Sequence, residues 1–145
     1  MRAVIQRVTQ AQVTVDDQTI AAIGDGLVIL LGIENEDTHE KADQLCKKIA
    51  ALRIFSDAEE KMNLSVRDIN GSAIVVSQFT LMADTHKGNR PSFFKAAPPD
   101  VASPLVDYFI ASLEKEGVPT QSGQFAAHML VEIHNSGPVT ILLEA

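Results

Sequence analysis

The sequence predicts an α/β fold, a mostly antiparallel sheet or open barrel carrying two helices in a single domain spanning residues 1–145. Three observations predict it: alternating apolar residues at both ends of the chain, two stretches with helical apolar spacing between them, and no linker or repeat. A chain of 145 residues with 46% hydrophobic and 21% charged residues can support a packed core.

Residues 2–15 alternate in two stretches, as a long half-buried strand does. Asp16-Asp17 gives a turn, and residues 18–23 return as a second strand. Gly24-Asp25-Gly26 reads as a hairpin turn into the apolar run 27–33, a central strand. Asp37 and Glu40 have the spacing of a capping box, and Ala42, Leu45, Cys46, Ile49 and Ala50 follow on one helical face ending near residues 52–54. Residues 56–71 are polar and irregular, with Asn70-Gly71 turning into the apolar run 73–76. After a long loop over 82–99, Ala102, Leu105, Val106, Phe109, Ile110 and Leu113 mark a second helix, stopped by Gly117. A strand over 124–134 and a last strand over 139–143 close the chain.

Composition excludes several function classes. No apolar run approaches the ~18 residues of a membrane helix, and the start of the chain lacks the pattern of a signal peptide, so a cytoplasmic location is expected. Cys46 is the only cysteine and lies on the apolar stripe of the first helix, where core packing is expected. The net charge of −7 disfavours a broad nucleic-acid footprint, so any RNA should be held over a few nucleotides. Nucleophile elbows, zinc-helix motifs and phosphate loops are absent. His39, His86, His128 and His134 are scattered. His128 and His134 would share a strand face, but six residues apart they cannot share a metal. Neither a metal nor a cofactor is expected.

Two segments remain. Ser77-Gln78-Phe79-Thr80-Leu81 ends the apolar run 73–76, and polar groups at the C-terminal edge of a buried strand are where α/β folds place ligands. Asn135-Ser136-Gly137-Pro138-Val139-Thr140 lies between the last two expected strands. There proline lowers the cost of a cis bond to ~0.5–1 kcal/mol, and glycine accepts unusual dihedrals. Taken alone, the first could be a capped strand end and the second a hairpin loop.

Together they resemble the paired signature of the D-aminoacyl-tRNA deacylases. Met1-Arg2-Ala3-Val4-Ile5-Gln6-Arg7-Val8 is similar to that family's first strand. Lys61-Met62-Asn63 and Lys87-Gly88-Asn89-Arg90-Pro91-Ser92-Phe93 are similar to its loop motifs. The sequence departs from the family at Ser136, often aspartate, at Ala126, often glycine, and at Met82, often aromatic.

The resemblance implies a homodimeric hydrolase. It would cleave the ester between a D-amino acid and tRNA, and glycyl-tRNA mischarged on tRNA-Ala as well, without a cofactor. The family's Gly-Pro peptide is cis and enters the partner subunit's active site, where its carbonyl oxygens receive the substrate amino group and its backbone rejects an L side chain. Carried over, Gly137 and Pro138 form the chiral filter with Asn135 and Met129, and Arg7 braces their loop. Ser77, Gln78, Phe79, Thr80 and Thr140 carry the chemistry. The amides of residues 77–80 and the Gln78 side chain act as oxyanion donors, and the 2′-hydroxyl of the terminal adenosine assists. Phe79 and Met129 shape the adenosine pocket, and Lys87 and Arg90, in an acid-free stretch with Lys95, Phe93 and Phe94, meet the 3′ phosphates. Two other readings are a non-catalytic nucleic-acid module built on that loop and a hydrolase of small esters or thioesters.

Overall fold

A computed structural model describes residues Met1–Ala145. The chain forms β1 (Arg2–Val15), β2 (Gln18–Ile23), β3 (Gly26–Gly32), α1 (His39–Ala51), β4 (Phe55–Ser56), β5 (Met62–Leu64), β6 (Ser72–Ser77), a 3₁₀ turn (Phe79–Met82), α2 (Pro99–Lys115), β7 (Thr120–Ser122) and β8 (Leu130–Glu144). Asp16 and Asp17 both take positive φ, +48° and +61°, which twists the β1–β2 hairpin in the favoured sense.

Residues 24–25, expected as a hairpin turn, do not reverse the chain. The register runs from Ala11↔Ile23 to Val8↔Gly26, so β2 and β3 are successive stretches of one strand antiparallel to β1. Gly26 sits at the kink because a Cβ there would overlap the Ser72 carbonyl of β6. The main sheet runs β2-β1-β3-β6-β7, with β8 on the other edge of β1. It is mostly antiparallel, as expected, but mixed: β3–β6 and β6–β7 are parallel, because a helix lies in each connection.

One core cluster lies between the sheet and the two helices, with Ile5, Leu27, Ile29, Leu31, Ile49 and Phe109 at its centre. The other lies on the opposite face, where β1, β2, β3 and β6 enclose Val8, Ala11, Val13, Ile23, Val28, Ile74 and Val76. The sheet curls until Gln121 of β7 reaches β2. Its side chain accepts from the Ala22 amide at 2.9 Å and donates to the Ala22 carbonyl at 2.8 Å, almost closing a barrel.

α1 buries the five residues named from spacing, but its cap differs. Thr38 is the N-cap, accepting from the Lys41 amide, while Asp37 turns away to bind the terminal amine of Met1 at 2.5 Å and the Glu34 amide at 2.7 Å. Cys46 is buried as expected. Its thiol lies 3.3 Å from the Phe109 carbonyl, and burial pushes its pKa up to about 12. α2 ends before Gly117, whose φ of +86° provides the stop.

The C-terminal third departs most from expectation. Residues 123–129 form no strand, so His128 and His134 do not share one, and the short parallel β7 was not anticipated. The two expected last strands are one, β8, antiparallel to β1 along its whole length. Asn135-Ser136-Gly137-Pro138 therefore does not turn the chain back. Pairing jumps from Gln6↔Thr140 to Val8↔Asn135, so residues 136–139 bulge opposite Arg7 alone.

Candidate active site

Site geometry begins at the C-terminal end of β6. The Gln78 amide makes the last ladder bond, to the Leu31 carbonyl at 2.8 Å, and the chain then tightens into the 3₁₀ turn. That turn can sit on β3 because position 32 is glycine: a Cβ there would lie 2.6 Å from Met82 Cε and 3.2 Å from the Gln78 carbonyl. Met82 is buried, so this departure from the family pattern lies under the turn rather than in the site.

Of the four backbone amides expected as donors, that of Gln78 is consumed by the sheet. Those of Phe79 and Thr80 open the turn and have no partner within it. The Gln78 side chain donates to Thr80 Oγ1 at 2.5 Å, which fixes both groups beside those amides.

Ser77, Gln78 and Phe79 form one end of a cavity of about 570 Å3, the size of a small-ligand site. Val76, Phe125 and Met129 are among its apolar walls, and Ala96, Ala97 and Ala102 are supplied by the segment entering α2. His128 also lines it, a histidine without a sequence signal for any part in the site. The alanines carry no chemical signature in a sequence; they matter by leaving space. Ala126 lines the cavity with φ +60°, a conformation suited to the glycine that the resemblance implies there.

None of residues 135–140 lines this cavity. They form a second structure, at the β8 bulge. Asn135 ties its neck, with Nδ2 donating to the carbonyls of Arg7 at 3.0 Å and Val139 at 2.9 Å. Thr140 accepts from Gln6 and donates to Asn135 Oδ1 at 3.4 Å. Arg7 donates through Nε to the Ser136 carbonyl at 3.2 Å and through Nη1 to the Ile54 carbonyl at 2.6 Å, so it braces the loop by backbone contacts.

At the apex, the Gly137-Pro138 peptide is cis, and both residues are exposed. Gly137 has φ +117°, and a Cβ there would lie 2.7 Å from Arg7 Nη2 and 3.0 Å from Val139 Cγ2. Only glycine fits. The corner thus presents backbone outward, with no side chain beyond the Pro138 ring at its tip.

The rim of the cavity is formed by the segment before α2. Phe79 packs edge-on against Phe93, ring centres 5.0 Å apart. Lys87, Arg90 and Lys95 are exposed and take part in no ion pair. His86 is held by Asp84, whose pKa is lowered by hydrogen bonds from the His86 amide and ring.

Residues 4–144 match the family model described as D-Tyr-tRNA(Tyr) deacylase. A protein of Chloroflexus aurantiacus named D-aminoacyl-tRNA deacylase is 55% identical over 145 residues, covering 100% of this chain and 91% of that one. A protein of Pasteurella multocida with the same name is 56% identical over 144 residues, covering 99% of each. Among solved structures, one called "c-Myc DNA Unwinding Element Binding Protein" superposes with a TM-score of 0.93 at 43% identity, covering 100% of this chain and 99% of its own. Another, described as "a probable eukaryotic D-amino acid tRNA deacylase", shares the fold with a TM-score of 0.83 at 18% identity, over 98% and 97% of the two chains. No helix is long and apolar enough to cross a membrane.

Proposed function

The chain belongs to the D-Tyr-tRNA(Tyr) deacylase family, and from that premise we propose that it is a cytoplasmic hydrolase that removes D-amino acids from tRNA and spares L-amino acids. One observation carries the mechanism: the cavity and the glycine-proline corner lie in separate parts of the same protomer. A corner facing outward can act on a cavity only if another copy of the chain presents it. The active form is therefore a homodimer in which Gly137-Pro138 of each subunit completes the cavity of the other. β8 suits such pairing, with its outer edge open and Leu130 and Leu142 exposed.

In this reading the terminal adenosine enters between Phe79 and Met129, and Lys87 and Arg90 meet the phosphates behind it. The ester carbonyl then lies at the polar end, by Ser77 and Gln78. As water, oriented by the adjacent 2′-hydroxyl, attacks, charge develops on the carbonyl oxygen, and collapse expels the 3′ oxygen of the adenosine, which takes up a proton. The amides of Phe79 and Thr80 are the available donors, and losing one such donor costs roughly a hundredfold in rate. Neither Thr80 nor Thr140 has a base to activate it: their hydroxyls bond only to Gln78, or to Gln6 and Asn135. Substrate assistance therefore fits better than a protein nucleophile.

The incoming corner receives the substrate amino group on its carbonyl oxygens and leaves no room for an L side chain. A D side chain points away, and glycine, having none, passes as well. Rejection by exclusion rather than by fit explains how one site can accept many side chains.

The test is hydrolysis of D-tyrosyl-, L-tyrosyl- and glycyl-tRNA, with the mass of the protein measured by light scattering. D-tyrosyl- and glycyl-tRNA should be cleaved and L-tyrosyl-tRNA left intact by a dimer. A fully active monomer, or equal rates for both enantiomers, overturns the filter. Gly137→Ala should lower D-tyrosyl-tRNA hydrolysis at least tenfold, because the added methyl meets Arg7 and disturbs the apex.

The 43% identical DNA-unwinding-element binder and the unpaired basic rim favour one second reading, nucleic-acid binding without catalysis. Salt-dependent affinity unchanged by Gly137→Ala, with no ester cleavage, would support it. Turnover of free D-amino-acid esters as fast as of the tRNA substrate would instead point to a small-ester hydrolase.

A further inference from the structure

Phe94 is 89% exposed, the most exposed large apolar side chain in the protein. Its neighbour Phe93 packs against Phe79, which lines the cavity, whereas the Phe94 ring is left to solvent. The Phe94 main chain is pinned. Asn35 Nδ2 donates to the Phe94 carbonyl at 3.4 Å, the Asn35 amide donates to the Lys95 carbonyl at 3.3 Å, and the Ala96 amide closes on the Phe93 carbonyl at 3.0 Å. Two residues on, Ala96 lines the cavity. An exposed aromatic ring on a fixed backbone beside a site has little ordering left to lose when something covers it.

Charge indicates what covers it. The chain carries −7 overall, yet residues 85–95 contain Lys87, Arg90 and Lys95, all unpaired, and no acid. Unpaired cations in the same segment as a solvent-facing aromatic are the elements of a single-strand nucleic-acid platform, in which the charges follow the backbone and the ring stacks on a base.

We propose that Phe94 is a positioning residue that stacks on an unpaired base of the substrate RNA, just 5′ of the nucleotide held in the cavity. The choice of RNA rests on the deacylase reading. Phe94 does not touch the scissile ester. It sets the register of the strand so that the terminal adenosine reaches the cavity, adding affinity for tRNA that a lone adenosine ester cannot use.

The experiment compares wild type, Phe94→Ala and Phe94→Tyr on D-tyrosyl-tRNA and on 2′(3′)-O-D-tyrosyl-adenosine. Binding of an uncharged RNA hairpin ending in CCA is measured in parallel. Stacking is worth roughly 5- to 150-fold in affinity per base. Phe94→Ala should therefore raise KM for D-tyrosyl-tRNA about tenfold with kcat within about twofold, and weaken the hairpin by a similar factor. Phe94→Tyr should restore both, because a phenol stacks as well as a phenyl ring, and the adenosine ester should be cleaved equally by all three. Equal losses on both esters, no change on either, or a change in subunit mass on Phe94→Ala would overturn the proposal, the last by assigning the ring to a protein interface. If wild type binds the hairpin but cleaves neither ester, the deacylase reading fails; the platform still stands or falls on the hairpin affinities.

Discussion

Single residues show where backbone geometry outweighs side-chain chemistry. Ala126 holds φ +60° at the cavity wall, a conformation costing an L residue roughly 1–2 kcal/mol that glycine escapes. Ala126→Gly also loosens the unfolded chain, at roughly 0.5–1 kcal/mol. The balance favours the variant by about 0.5–1 kcal/mol. Its urea midpoint should rise, where an ordinary alanine-to-glycine change lowers it. Arg7 shows the complementary case. In the sequence it is a charge in an apolar strand, and the resemblance assigned it to bracing; the structure gives it two carbonyls, of Ser136 and Ile54, and no acid. Ser77, Gln78 and Phe79 could be read as site residues because polar groups ending a buried strand are a local signal. The alanine walls could not, since they contribute volume and leave no pattern.

Elements divide by how local their causes are. α1, α2, β1 and β3 were legible because apolar periodicity fixes which face is buried, and all five residues expected on the α1 stripe are buried. β7 has no signal in the sequence: Thr120–Ser122 has no apolar alternation and pairs only because α2 delivers it beside β6. β8 reads as two strands in the sequence because Gly137-Pro138 has the composition of a reversal. The structure instead absorbs residues 136–139 as a bulge, with Asn135 bonding across its neck and the ladder resuming on both sides. The barrel seam is equally invisible in sequence, since one glutamine side chain replaces a strand ladder. Gln121→Ala removes both bonds to Ala22, at about 1–2 kcal/mol in all. Amide exchange at Ala22 should accelerate in that variant while exchange in α1 is unaffected.

Across the whole molecule, the two ends of the chain meet. The terminal amine of Met1 donates to Asp37 at 2.5 Å and to the Ala145 carbonyl at 2.9 Å, and Lys41 is a second cation on Asp37 at 3.0 Å. Burial opposes charge on Asp37, but the bonds from the amine, the Glu34 amide and Lys41 outweigh it and hold the carboxyl below its ordinary value of 3.8. A carboxyl depressed on folding contributes stability that is complete above its unfolded pKa and lost as pH falls through the folded one. Denaturation midpoints should therefore hold above pH ~4 and decline below it. Asp37→Asn should flatten that decline while costing on the order of 3 kcal/mol at neutral pH, because it leaves the amine buried without its counter-charge.

The sealed position of Cys46 has a consequence for how the molecule ages. Its sulfur faces a helix carbonyl and keeps its proton at every physiological pH, so peroxides and alkylating agents, which attack thiolates, find no foothold on the native molecule. The hydrolysis proposed above, by backbone amides and a hydroxyl of the substrate, asks nothing of a thiol. Stress that silences cysteine-dependent enzymes leaves this chemistry running.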